Sequence, residues 1–255
     1  VIRWIQAFVD RPAGRFDKAV AFWTAVTGTT LSAPRGTNQE FVTLIPPQGD
    51  AYLKAQAIGG PAGYHLDLDV DDPQAGARRA LELGAELVAD NGDYVVVRSP
   101  GGQPFCFTEG TTGTIPSPTK GPEGATSRID QVCLDIGPSD HATETAFWSA
   151  LTGWEFRRST LPEFSVLQRS GEMPLRLLLQ RLGEDRPTSA HLDLSCSDRE
   201  AVASWHRSLG ARVIADHRHW TVMEDPTGGV YCLTSREPEP GPSRNSDSDV
   251  ACESV

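Results

Sequence analysis

Apolar and polar residues alternate with a period of two over residues 3–9, as in a strand with one buried face. The period then changes. Phe16, Ala19, Val20, Trp23 and Val26 recur at helical spacing, and Gly28 follows where a helix commonly ends on a left-handed residue. Strand-like runs come next, near 29–32, 40–45 and 52–58. The pattern restarts with a strand at 64–70, a helix at 72–84 closed by Gly84, and strands near 86–90, 93–98 and 104–108. The order βαβββ therefore occurs twice before residue 110.

It then occurs twice more. Residues 21–28, AFWTAVTG, return as 146–153, AFWSALTG, at an offset of 125. His65-Leu66-Asp67-Leu68 returns as His191-Leu192-Asp193-Leu194 at an offset of 126, and so do Cys106 as Cys232 and Thr108 as Thr234. An offset held over half the chain marks an internal duplication. Helices are expected near 140–152 and 198–209. The predicted organisation is a first module at 1–109, a Gly-, Thr-, Pro- and Ser-rich linker at 110–127 and a second module at 128–235. An acidic tail at 236–255 is poor in apolar residues and expected to be disordered.

These motifs resemble the vicinal oxygen chelate superfamily, which includes glyoxalases, bleomycin-resistance proteins and extradiol dioxygenases. AFWTAVTG and AFWSALTG resemble its first-helix signature. GYHLDLDVDD resembles the strand that opens its second unit. SPGGQPFCF and DPTGGVYCL resemble its closing turn and last strand. The resemblance covers nearly the whole chain except linker and tail. It implies an α+β fold in which four βαβββ units form two cupped mixed sheets. Each cup could pair two units of one module or exchange units between modules.

The resemblance also implies ligand positions on the cup floor. They fall on Gln6 and Gln131 in the first strands, Gln56 and Gln180 in the fourth, His65 and His191 in the strand opening the second unit, and Cys106 and Cys232 in the last strand. Metal-dependent relatives have a glutamate at that last place. With no carboxylate at the four positions, no metal is expected as a cofactor, although His and a Cys thiolate are good zinc ligands and a divalent metal remains possible. The histidines could equally be hydrogen-bonded parts of the fold, and the cysteines buried small hydrophobes.

Strand alternation adds further cup-facing candidates. Phe8 and Asp10 share the face of Gln6, and Cys133 and Asp135 that of Gln131. Asp67 shares the face of His65, and Asp193 that of His191. Glutathione-using relatives place an arginine where Asp10 and Asp135 stand, so a cationic or neutral ligand is expected, unless these aspartates only stabilise the turn that follows. Tyr94 and Trp220, with Val96 and Val222, are expected to line the cup as stacking surfaces. Alternation puts Arg218 inward and His217 and His219 outward. Trp23 and Trp148 read as core.

The chain has 34 acidic and 23 basic residues, a net charge of −11. This argues against nucleic acid as a partner. No apolar run approaches the roughly 20 residues of a membrane span. Five scattered cysteines without a CxxC pair suit a reduced, cytoplasmic protein. The functional expectation is a glyoxalase- or bleomycin-resistance-like protein, monomeric or a homodimer, that binds a small polar aromatic or cationic compound without metal. The alternative is a metal-dependent lyase, isomerase or dioxygenase. Whether the chain is an enzyme stays open.

Overall fold

In the computed structural model, which describes residues 1–169 and 173–239, the four units appear in the predicted order. The first comprises β1 (Ile2–Pro12), α1 (Phe16–Thr27), β2 (Thr30–Leu31), β3 (Phe41–Ile45) and β4 (Leu53–Ile58). The second comprises β5 (Gly63–Val70), α2 (Pro73–Glu82), β6 (Glu86–Asp90), β7 (Tyr94–Arg98) and β8 (Pro104–Glu109). A short strand in the linker, β9 (Thr119–Lys120), pairs with the start of β10 (Thr126–Ile136). The third unit continues with α3 (His141–Thr152), β11 (Glu155–Arg158), β12 (Phe164–Gln168) and β13 (Arg176–Arg181). The fourth is β14 (Ser189–Cys196), α4 (Arg199–Ser208), β15 (Arg212–Asp216), β16 (Trp220–Glu224) and β17 (Val230–Thr234).

Each sheet is built from one module, which resolves the pairing left open by the sequence. The orders are β2-β3-β4-β1-β5-β8-β7-β6 and β11-β12-β13-β10-β14-β17-β16-β15. The two units of a module meet at an antiparallel central pair, β1 with β5 and β10 with β14. The first helices end as their sequences predict. Gly28 and Gly153 take φ of 62° and 66°, a conformation that costs glycine nothing. Asp72 and Asp198 cap α2 and α4 by accepting from the backbone N–H groups of Ala75 and Ala201.

The first helix of each module packs against the other module. Trp23 of α1 lies 5.3 Å from the ring of Tyr231 in β17, and Phe22 lies 5.8 Å from His206 in α4. Reciprocally, Phe147 and Trp148 of α3 lie 6.0 and 4.8 Å from Phe105 in β8. Trp23 and Trp148 are fully buried, so each contributes on the order of 4–6 kcal/mol of gross apolar burial to this junction. A buried ion pair between Arg11 and Asp225, at 2.6 Å, crosses the same junction.

Two sequence expectations change here. β1 and β10 run on to Pro12 and Ile136, so Asp10 and Asp135 are strand residues rather than turn stabilisers. The tail expected to be disordered from 236 begins with contacts: Arg236 grips Asp130 at 2.5 and 2.7 Å, and Arg169 pairs with Glu239. Residues 240–255 lie outside the described residues. No helix among the described residues is long and apolar enough to cross a membrane.

Candidate binding cups

Register places the candidate residues of module 1 on one face. Gln6, Phe8 and Asp10 of β1 stand opposite Asp67, His65 and Gly63 of β5, and Cys106 of β8 stands beside Asp67. Phe8, Asp10, His65, Asp67 and Cys106 line a cavity of about 450 Å3 with Gln56, Tyr94 and Val96, whereas Gln6 is outside its lining and donates to Asp69. His65 is held on two sides. Its Nδ1 lies 2.6 Å from Asp10 Oδ2, and its ring stacks on Phe8 with centroids 4.3 Å apart. Burial disfavours the charged imidazole, but the Asp10 hydrogen bond and the charges of Asp10 and Asp67 outweigh it, and His65 is raised above the ordinary histidine range.

Module 2 repeats this with changes. Gln131, Gln180, His191, Asp193, Trp220 and Cys232 line a smaller cavity of about 210 Å3. His191 Nδ1 lies 3.1 Å from Asp135 Oδ2. Cys133 takes the place of Phe8, so a thiol rather than a ring flanks the imidazole. Burial opposes the charged form of His191, yet Cys133, Asp135 and Cys232 together raise it well above the ordinary value. Burial pushes the Cys232 thiol up, and His191 opposes the rise.

Asp10 lines the first cavity, with Oδ2 on His65 and Oδ1 unpartnered among the described residues, and Asp135 pairs with His191 and with Arg186 at 3.1 Å. They orient the rings and leave Nε2 toward the cup floor, as a carboxylate behind a ligating histidine does. The module 2 cavity is lined by charges of both signs, Arg176, Asp193 and Arg236, the last paired with Asp130.

Beside the four ligand positions, which hold no carboxylate, stand the cup-facing candidates Asp67 and Asp193. His65, Asp67 and Cys106 form one group of converging donors, and His191, Asp193 and Cys232 form another, with ligand atoms within 4.8 Å of one another. In module 2, His191 Nε2 is 3.3 Å from Asp193 Oδ1 and 3.5 Å from Cys232 Sγ. With bonds of about 2.0–2.1 Å to nitrogen and oxygen and about 2.3 Å to sulfur, a tetrahedral zinc spaces nitrogen from oxygen by about 3.3 Å and nitrogen from sulfur by about 3.6 Å. Asp193 Oδ1 and Asp67 Oδ1 are buried and accept no hydrogen bond among the described residues. An orphaned carboxylate oxygen in each floor is what a cation would satisfy. Module 1 fits less closely, because its Nε2 to Oδ1 distance is 3.7 Å and Lys54 Nζ lies 3.7 Å from Asp67 Oδ2.

The sequence reading missed several floor residues. Lys54 and Arg176 were not singled out because facing in the fourth strands depends on register, Phe8 with Lys54 and Gln131 with Arg176. Asp69, which accepts from Gln6 at 2.6 Å and Thr108 at 2.5 Å, continues the His65–Asp67 alternation and was legible there. The run at 217–219 is the turn between β15 and β16, so strand alternation does not extend through it. His219 lines the rim of the second cup, Arg218 is exposed, and His217 stacks on Trp220 at 4.6 Å.

The sequence matches the family model described as Glyoxalase-like domain twice, over residues 6–108 and 131–234. No curated protein matches at a significant level. Among solved structures, the fold is similar to an Mn(II)-bound glyoxalase from Novosphingobium aromaticivorans, with TM-score 0.63 and 15% identity, over 94% of this chain and 82% of that one. It is also similar to 2,2',3-trihydroxybiphenyl 1,2-dioxygenase from Sphingomonas wittichii, with TM-score 0.61 and 17% identity, over 92% and 90% of the two chains. A variant of 4-hydroxymandelate synthase from Streptomyces coelicolor gives TM-score 0.60 and 13% identity, over 93% of each chain. At these identities the likeness is one of fold.

Proposed function

The chain belongs to the glyoxalase-like domain family, and on that premise we propose that its cups bind small polar aromatic compounds and that the floor of module 2 holds a divalent metal. The observation that carries this reading is the convergence of His191, Asp193 and Cys232, with His191 Nε2 at tetrahedral spacing from Asp193 Oδ1 and from Cys232 Sγ and with the carboxylate oxygen accepting no hydrogen bond among the described residues. A set with one thiolate suits zinc better than iron or manganese. This favours the lyase or isomerase alternative over ring cleavage with dioxygen. When bound, such an ion acts as a Lewis acid toward a ligand oxygen.

The surrounding residues have definable tasks. Asp135 fixes the His191 ring through Nδ1 and leaves Nε2 as the donor toward the floor. Gln131 holds the other oxygen of Asp193 and fixes that carboxylate. Trp220 and Phe164, with ring centroids 5.6 Å apart, form an aromatic wall against which a flat molecule stacks. In module 1, Phe8, Phe41 and Tyr94 offer a wider aromatic cup, and Lys54 partly neutralises Asp67, so ligand binding there does not need an ion.

The test is elemental analysis of full-length protein purified without a metal-affinity tag. We expect about one zinc per chain, lost in Asp193→Asn and Cys232→Ser and retained in Asp67→Asn. Metal-free protein that does not take up added zinc overturns the metal assignment. Metal content unchanged by both module 2 substitutions does the same.

A further inference from the structure

The two cups carry different uncompensated charge. In module 1 the floor cation, Lys54, sits 3.7 Å from Asp67 and 5.2 Å above the Phe8 ring. Its counterpart in β13 is the apolar Leu178, and module 2 places its cation two residues earlier, at Arg176. Module 1 has Tyr52 at that earlier position, with its hydroxyl spent on the carbonyl of Ile129 at 2.6 Å.

Arg176 is half-buried and lines the cavity. Its Nε donates to Gln131 Oε1 at 2.7 Å, which fixes the guanidinium plane. The neighbouring carboxylates pair with other groups, except that Asp193 keeps Oδ1 unpartnered among the described residues. Asp130 takes both nitrogens of the Arg236 fork, Glu239 pairs with Arg169, Gln131 donates to Asp193, and Asp135 pairs with Arg186 and His191. Among the described residues Arg176 makes no ion pair, and its only hydrogen bond is the one from Nε. Burial and the neighbouring Arg236 accordingly press on its charged form and lower its pKa. A fixed fork whose terminal Nη1–Nη2 edge is free, in a cavity walled by Trp220 and Phe164, is complementary to a flat molecule bearing a carboxylate.

We propose that module 2 selects an aromatic ligand bearing a carboxylate, with Arg176 as the specificity-determining residue. The inference rests on the reading of the second cup as a small-molecule site. It reverses, for this cup, the cationic preference expected from Asp135.

The experiment is titration calorimetry of full-length protein at neutral pH with a matched set of benzoate, benzamide and benzylamine. Wild type is expected to bind benzoate at least tenfold more tightly than benzamide, with benzylamine weakest. Arg176→Gln is expected to lower benzoate affinity at least tenfold and so abolish the preference for benzoate over benzamide. Arg176→Lys, which keeps charge but not the fork, is expected to restore only part of it. Equal or tighter binding of benzamide by wild type overturns the inference and leaves the cup reading intact, as does a benzoate preference that survives Arg176→Gln. No binding by any of the three overturns both.

Discussion

Asp225 and Glu144 are the same buried carboxylate supplied from opposite sides of the module junction. Asp225, in the turn before β17, accepts from the indole of Trp23 at 3.1 Å. Glu144, in the first turn of α3, accepts from the indole of Trp148 at 2.8 Å, and from Ser99 and the backbone of Gly101 in the corresponding turn of module 1. Where one module puts the acid in the turn, with Ala19 on the facing helix, the other puts Ser99 in the turn and the acid on the helix. Among the described residues only the Asp225 side has a cation, Arg11, whose charge, with hydrogen bonds from Thr227, Arg11 and Gly229, outweighs burial and holds Asp225 below the usual carboxylate range.

This asymmetry makes Asp225→Asn a costly change. It leaves Arg11 buried without its counter-charge, for an expected loss of about 3–5 kcal/mol in denaturant unfolding. Arg11→Met combined with Asp225→Asn is expected to cost less than the sum of the two single changes, because the charge is removed with its partner. Strict additivity would show that the pair does not couple the modules.

Gly229→Ala tests the same place by volume. A Cβ there falls on the guanidinium of Arg11 and lies 2.7 Å from Asp225 Oδ2. The expected destabilisation is about 1–3 kcal/mol. Gly183→Ala, with nothing near its Cβ, is the control and is expected to be near neutral. Comparable midpoints for the two variants would refute the close approach.

His206 sets an acid limit on stability. It is fully buried, its Nδ1 meets the Tyr231 hydroxyl at 2.9 Å, and burial lowers its pKa to about 3. The unfolded chain takes up a proton on this histidine below about pH 6.5 and the folded chain does not. Stability is therefore present above that pH and declines by about 1.4 kcal/mol per pH unit as pH falls toward the folded value. His206→Gln is expected to flatten this part of the pH profile measured by denaturant unfolding. An unchanged slope between pH 6 and 4 counts against the assignment.

The metal proposed for the second floor would couple to folding. Zinc at 100 times its dissociation constant is expected to stabilise the protein by about 2.7 kcal/mol, reversed by a chelator. Cys232→Ser is expected to remove the shift and Cys106→Ser to retain it. A thermal midpoint insensitive to both zinc and chelator contradicts the site.

Periodicity and internal repetition were enough to read the four βαβββ units, their helix ends and the pairing of His65 with Asp67 on one face, because these depend on steps of two and 3.6 along a single chain. The same local rules led to errors where the chain stops being regular, as at 217–219, and fell short where a residue's role depends on what faces it. Asp10 and Asp135 looked like ligand groups because alternation points them toward the cup. Only the packing of β1 on β5 and of β10 on β14 shows that each also holds a histidine. The meeting of Asp193 Oδ1, His191 Nε2 and Cys232 Sγ, the packing of α1 and α3 across the module junction, and the free end of the Arg176 fork all depend on register and docking between segments far apart in sequence. Burial and partner count decide the charge of a cup, and both are properties of the assembled sheets.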